Sequence, residues 1–93
     1  MYKRETTIVN KTGLHARPAT EFVNCAKQFE SKLTIQRVEG VHAKSNNAKS
    51  MVTILTLALK KGENVEICGD GPDEVKAVDT LVELLETGFG EEN

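Results

Sequence analysis

The sequence predicts an α+β fold, an open-faced two-layer sandwich in which a four-stranded antiparallel sheet carries three helices on one face, in the order βαββαβα. Three observations predict it. The stretches KRETTIV, KLTIQRV, VHAK and ENVEICG are β-branched or alternating and read as strands. Three further stretches repeat apolar residues at spacings of three and four, which marks amphipathic helices. The second and third strands are separated by little more than a turn, so they form a hairpin, and helices interspersed with hairpin strands cover one face of an antiparallel sheet. No repeat, linker or low-complexity stretch interrupts residues 1–93, so one domain is expected.

Each element has its own signal. KRETTIV ends at NKTG, a strand running into a turn. From Ala16, the residues Ala19, Phe22, Val23, Ala26 and Phe29 fall on one side of a helix, and Glu21, Asn24, Lys27 and Gln28 on the other. Pro18 suits the first turn, where a missing N–H is no loss. KLTIQRV alternates as a strand, Glu39-Gly40 offers a turn, and VHAK returns as a third strand, with Asn46-Asn47 as a turn after it. SMVTILTLALKKG reads as a helix ending in a cationic Lys60-Lys61 pair and a Gly62 stop. ENVEICG is the fourth strand. GDGPDE then supplies a turn, a proline at a helix start and two early carboxylates, and Val75, Val78, Leu81, Val82 and Leu85 carry the last helix to Gly88.

Composition narrows the function. A net charge of −2, with 28% charged and 39% hydrophobic residues, gives neither the basic footprint of a nucleic-acid binder nor the signature of a disordered chain. No apolar run approaches the roughly 20 residues that span a bilayer, and MYKRETTIVN lacks the apolar segment of a signal peptide, so a cytoplasmic protein without membrane insertion is expected. Cys25 and Cys68 are isolated, without metal-type spacing, and read as reduced thiols packed as small hydrophobes. No metal or cofactor is called for. GDG lacks the lysine of a phosphate loop and is followed by carboxylates that repel phosphate, and His42 has no ligand-spaced partner.

TGLHARPAT, residues 12–20, is the stretch with distinctive chemistry. His15 stands between a glycine-containing loop and the start of a helix, at or beside the N-cap. The first amides of a helix have no intrahelical partner and, with the macrodipole, make an anion site. A phosphoryl group on His15 lands there, held by the backbone of Ala16 and Arg17 and by the planar charge of Arg17. No carboxylate base sits at a fixed spacing. Phosphoryl transfer between nitrogen nucleophiles needs positioning and charge stabilisation more than proton removal.

Gly-Leu-His-Ala-Arg-Pro-Ala closely resembles the active-site motif of the HPr family, the histidine-containing phosphocarriers of the phosphoenolpyruvate-dependent sugar phosphotransferase system. FVNCAKQF and NAKSMVTILTLALKKG are similar to that family's first and second helices. The resemblance implies that His15 is phosphorylated on Nδ1 by enzyme I and passes the group to sugar-specific IIA domains, acting as a co-substrate more than an enzyme. It implies that Arg17 is the active-site arginine. It also implies that Ser50 is a regulatory serine, phosphorylated by an HPr kinase/phosphorylase and read by a transcription regulator.

Independently of that, Ser50 suits an N-cap. Ala-Lys-Ser occurs twice, ending at Ser45 and Ser50, and only Ser50 has the right distance to Lys61-Gly62; the segment from Gly40 to Ser50 is a few residues longer than is usual in the family. On the second helix Ile54, Leu57 and Ala58 group apart from Val52, Leu55 and Leu59, and one sheet cannot bury both arcs. The surplus, with Met51 at its start, is expected to dock partners, rimmed by Lys11, Arg17, Lys27 and Lys49, and the family resemblance implies that enzyme I and IIA domains meet the chain here, at Thr20, Met51, Val52 and Leu55. Two alternatives stand beside the sugar-branch carrier: the nitrogen branch, NPr, which TGFGEEN resembles, and a regulatory module that binds a transcription factor or kinase.

Overall fold

The computed structural model describes residues 1–39 and 46–90. The strands are β1 (Tyr2–Thr7), β2 (Lys32–Arg37), β3 (Asn46–Asn47) and β4 (Asn64–Asp70), and the helices are α1 (Arg17–Ala26), α2 (Met51–Leu57) and α3 (Glu74–Glu86). The sheet is antiparallel in the order β1-β4-β2-β3. β4, the last strand in the chain, therefore lies between the first two and holds them together.

Register sorts the faces. Leu33, Ile35, Val65 and Ile67 point inward, alternate with half-exposed neighbours, and join Phe22, Val23, Ile54, Val78, Leu81 and Leu85 in one buried core. The opposite face stays in solvent, where Lys3, Lys32, Thr34, Gln36, Glu66, Cys68 and Asp70 line a shallow hollow. There Glu5 lies opposite Glu66, a like-charge pairing, and Gln36 donates to Glu66 at 2.9 Å from the other side. Cys25 and Cys68 are free and half-buried, and burial pushes the Cys25 thiol up.

Asn46-Asn47, α1, α2 and the start of α3 differ from expectation. The expected strand Val41–Lys44 lies outside the described residues, as do Gly40, His42, Ser45, Glu91 and Glu92. Asn46-Asn47 is not a turn: it pairs with Thr34 and Ile35 as β3, and Asn46 Nδ2 donates to the Ile35 carbonyl at 3.2 Å. α1 stops at Ala26, and Phe29 packs on the core from a tightened turn in which its N–H reaches Ala26 at 3.3 Å.

α2 ends at Leu57, five residues short of the Gly62 stop, because Ala58 turns left-handed at φ 50° and its N–H bonds back to Leu55. Arg37 occupies the carbonyl that this exit exposes, donating from Nη2 to Leu57 O at 2.5 Å while Nε holds Glu63 at 2.7 Å. That guanidinium keeps the Glu63 carboxyl below its ordinary 4.5. Leaving the helix early lets Leu59 turn inward, 2% exposed, where an extended helix puts it on the surplus arc.

α3 follows its pattern except at the start. Val75 is 53% exposed, and Ala77 takes its place in the core. Gly88 adopts φ 65° beyond the helix, and Phe89 then folds back to be buried. The early carboxylate Asp73 makes no side-chain cap bond to its own helix. It reaches across the layer instead, accepting from Glu30 N at 3.0 Å, Ser31 N at 2.9 Å and the hydroxyl of buried Ser31, while its own N–H returns to Ser31 Oγ at 3.2 Å.

The Ser31 hydroxyl, then the Glu30 amide, hold the Asp73 carboxyl below its ordinary 3.8. A carboxyl lowered by folding contributes stability that is complete above its unfolded value, near pH 4, and is lost as pH falls through the native one. Asp73→Asn is therefore expected to be less stable than wild type at pH 7, with the gap narrowing below about pH 4, as urea unfolding at the two pH values measures.

Candidate functional site

The loop carrying His15 is clamped before it reaches the histidine. Asn10 is fully buried and donates from Nδ2 to the Gly13 carbonyl at 2.8 Å and to Thr12 Oγ1 at 3.2 Å, and Gly13 N–H returns to the Asn10 carbonyl at 3.1 Å. Gly13 sits at φ 67° against the chain leaving α2, and a Cβ here falls 2.3 Å from Leu59 O. Leu14 buries its side chain and donates its N–H to the same Leu59 carbonyl at 3.0 Å. His15, Ala16 and Arg17 then stand exposed, and Pro18 and Ala19 are buried again.

Ala16 is the N-cap, so His15 lies one residue outside the helix. Its backbone is at φ 55°, ψ −128°, a region that residues bearing a Cβ seldom adopt and that costs on the order of 1–3 kcal/mol. Clamped ends on both sides impose that conformation. No side chain caps α1, and Pro18, the second helical residue, has no N–H to satisfy. The helix therefore begins with backbone amides that no side chain neutralises, beside a solvent-exposed imidazole.

Arg17, also exposed, donates from Nε to Glu21 Oε1 at 3.1 Å. Thr20 is exposed, and both its N–H and its hydroxyl return to the Ala16 carbonyl, at 3.2 and 3.4 Å. Ser50 caps α2, its Oγ accepting from Thr53 N at 3.3 Å. Met51 is half-buried against the core, whereas Val52 is 75% and Leu55 42% exposed. α2 packs on α1 as well as on the sheet. The split between Ile54 with Leu57 and Val52 with Leu55 matches the expected arcs; Ala58 is exposed and Leu59 buried, each the reverse of its grouping, because the helix has ended.

The expected basic rim is partly spent. Lys11 and Lys27 are exposed, but the Lys49 ammonium donates to the Phe29 carbonyl at 2.6 Å and ties the start of α2 to the turn after α1. Sequence reasoning missed Asn10 and the roles of Lys49 and Glu21. For Asn10 the signal is a side chain that closes a turn three residues long; for Glu21 it is the four-residue spacing from Arg17.

The family model described as PTS HPr component phosphorylation site matches residues 2–87. The chain belongs to the HPr family. It is 42% identical over 87 residues to phosphocarrier protein HPr of Haemophilus influenzae, covering 94% of this chain and 98% of that one. It is 36% identical over 89 residues to phosphocarrier protein NPr of Proteus mirabilis, covering 96% of each. The solved HPr of Thermoanaerobacter tengcongensis is 42% identical and superposes over all of both chains with a TM-score of 0.90. Phosphocarrier function in the phosphotransferase system follows from this membership, and HPr-type partners are phosphotransfer proteins of that system. Among the described residues no helix is long and apolar enough to cross a membrane.

Two substitutions test this architecture. Gly13→Ala combines a forbidden contact with a left-handed φ and is expected to cost about 2 kcal/mol or more in urea unfolding. Ser50→Ala, which removes only the cap acceptor, is expected to cost about 1 kcal/mol in the same measurement.

Proposed function

We propose that His15 is the phosphoryl acceptor and donor of this HPr-family carrier, working in the cytoplasm as one domain over residues 1–93. The observation that carries the reading is an exposed imidazole one residue outside an uncapped helix N-terminus, with Arg17 at its first position. In the transfer, the Nδ1 lone pair of His15 forms a bond to phosphorus as the donor nitrogen–phosphorus bond breaks, its electron pair staying on the donor. The proton of the neutral His15 ring stays on Nε2. The backbone of Ala16 and Arg17 and the Arg17 guanidinium offset the charge of the group, which is where catalysis of phosphoryl transfer resides.

Phospho-enzyme I, charged from phosphoenolpyruvate, is the donor in this reading, and sugar-specific IIA domains are the acceptors. Both dock on Thr20, Met51, Val52 and Leu55, where apolar side chains stand in solvent beside a packed helix pair. Ser50 is a regulatory site for an HPr kinase/phosphorylase and, through it, a transcription regulator. A phosphate on Oγ replaces a neutral cap with about two negative charges at the start of α2, between Lys49 and Met51 on the docking surface.

With enzyme I, magnesium and phosphoenolpyruvate, wild type is expected to gain one acid-labile phosphate by intact mass, and His15→Ala none, while both unfold at the same urea concentration. A phosphate on the variant, or none on wild type with an active enzyme I, overturns the assignment. Repeating the transfer with the nitrogen version of enzyme I separates the sugar branch from the NPr branch.

A further inference from the structure

Among the ten residues of α1 there is one base, Arg17, and one acid, Glu21, and they pair across one turn at 3.1 Å. Helix stability does not explain the arrangement. A base at the N-terminus opposes the macrodipole, and Arg preceding Glu is the weaker order for an i,i+4 pair. With Arg17 82% and Glu21 37% exposed, the pair is also loose and screened by salt. It holds the guanidinium at little cost in free energy to release it.

Resting on His15 as the acceptor, we propose that Glu21 is a positioning residue for the phosphoryl group: it holds the Arg17 guanidinium in the unphosphorylated carrier, competes with phosphate for it afterwards, and so weakens the carrier's grip on the group it must give away. The chemistry favours the exchange. A phosphate offers a planar guanidinium a bidentate, doubly charged partner, and Glu21 engages only Nε. A carrier that held phosphate with an uncontested Arg17 would accept it readily and donate it slowly.

The test compares wild type, Glu21→Gln, Arg17→Ala and the double variant, measuring the phosphoryl equilibrium with purified enzyme I and the rate of donation to a purified IIA domain. Glu21→Gln is expected to shift the equilibrium toward the phosphorylated carrier by about twofold, the size of an exposed i,i+4 ion pair, and to slow donation by a similar factor. Both effects are expected to vanish in the Arg17→Ala background and to shrink at about 1 M salt. A merely structural Glu21 moves the urea midpoint and leaves the equilibrium alone. An unchanged equilibrium in Glu21→Gln, or a shift that persists without Arg17, overturns the proposal while His15 phosphorylation stands. A wild type that takes no acid-labile phosphate overturns the His15 reading and this inference with it.

Discussion

The carbonyl of Leu59 is the point on which the site depends. It accepts from Leu14 N–H at 3.0 Å, and Gly13 passes so close to it that only a hydrogen fits at that α-carbon. For the carbonyl to be free, α2 has to end before Leu59, since within a continuing helix it is committed to the next turn. Ala58 in the left-handed conformation makes that ending, and Arg37 from β2 occupies the Leu57 carbonyl exposed by it. The loop that presents His15 is thus anchored to the exit of a different helix, and that exit is anchored to the sheet. Two elements distant in sequence fix where a single exposed side chain begins.

The anchoring explains how strain and exposure coexist at the histidine. Ala16 holds a costly backbone conformation because Leu14 on one side and Pro18 and Ala19 on the other are buried and cannot follow it outward. A carrier needs this contrast. In the proposed transfer His15 has to be reachable by a donor and an acceptor, and the side chains around it lie in solvent and interact weakly, while the backbone beneath stays fixed so that each partner meets the same geometry. Buried Asn10 and the Lys49 to Phe29 bond serve that same fixed layer.

Much of this fold is legible in the sequence alone. Period-two and period-3.6 patterns locate β1, β2, β4, α1 and α3, and the Pro18 and Ser50 signals place two helix starts within a residue, because these depend on local chemistry. The errors share a physical cause: tertiary contacts overrode a local preference. Leu59 continues the helical periodicity of α2, yet its carbonyl and side chain are worth more to the His15 loop and the core than one further helical turn. Asn46-Asn47 has turn propensity, yet the open edge of β2 supplies backbone partners. Asp73 has the place of a helix cap and binds Ser31 across the layer instead. Of the candidate site, His15, Arg17 and Ser50 stand out in the sequence because their residue types suit the proposed chemistry, whereas Asn10, which holds a turn from inside, leaves a weaker mark.

The open sheet face bears on the same logic. All three described helices pack against the one core that the sheet also lines, and each leaves unpaired amides and carbonyls at its ends. The start of α1 is left uncapped and solvent-exposed, whereas the start of α2 is capped by Ser50 and the end of α2 by Arg37. The start of α3 also lacks a side-chain cap, since Asp73 is turned to Ser31, so what sets the start of α1 apart is the missing cap together with the exposed imidazole beside it. In the proposed transfer, a phosphoryl group on His15 supplies the acceptor that the uncapped start of α1 lacks, which ties the missing cap to the binding of that group.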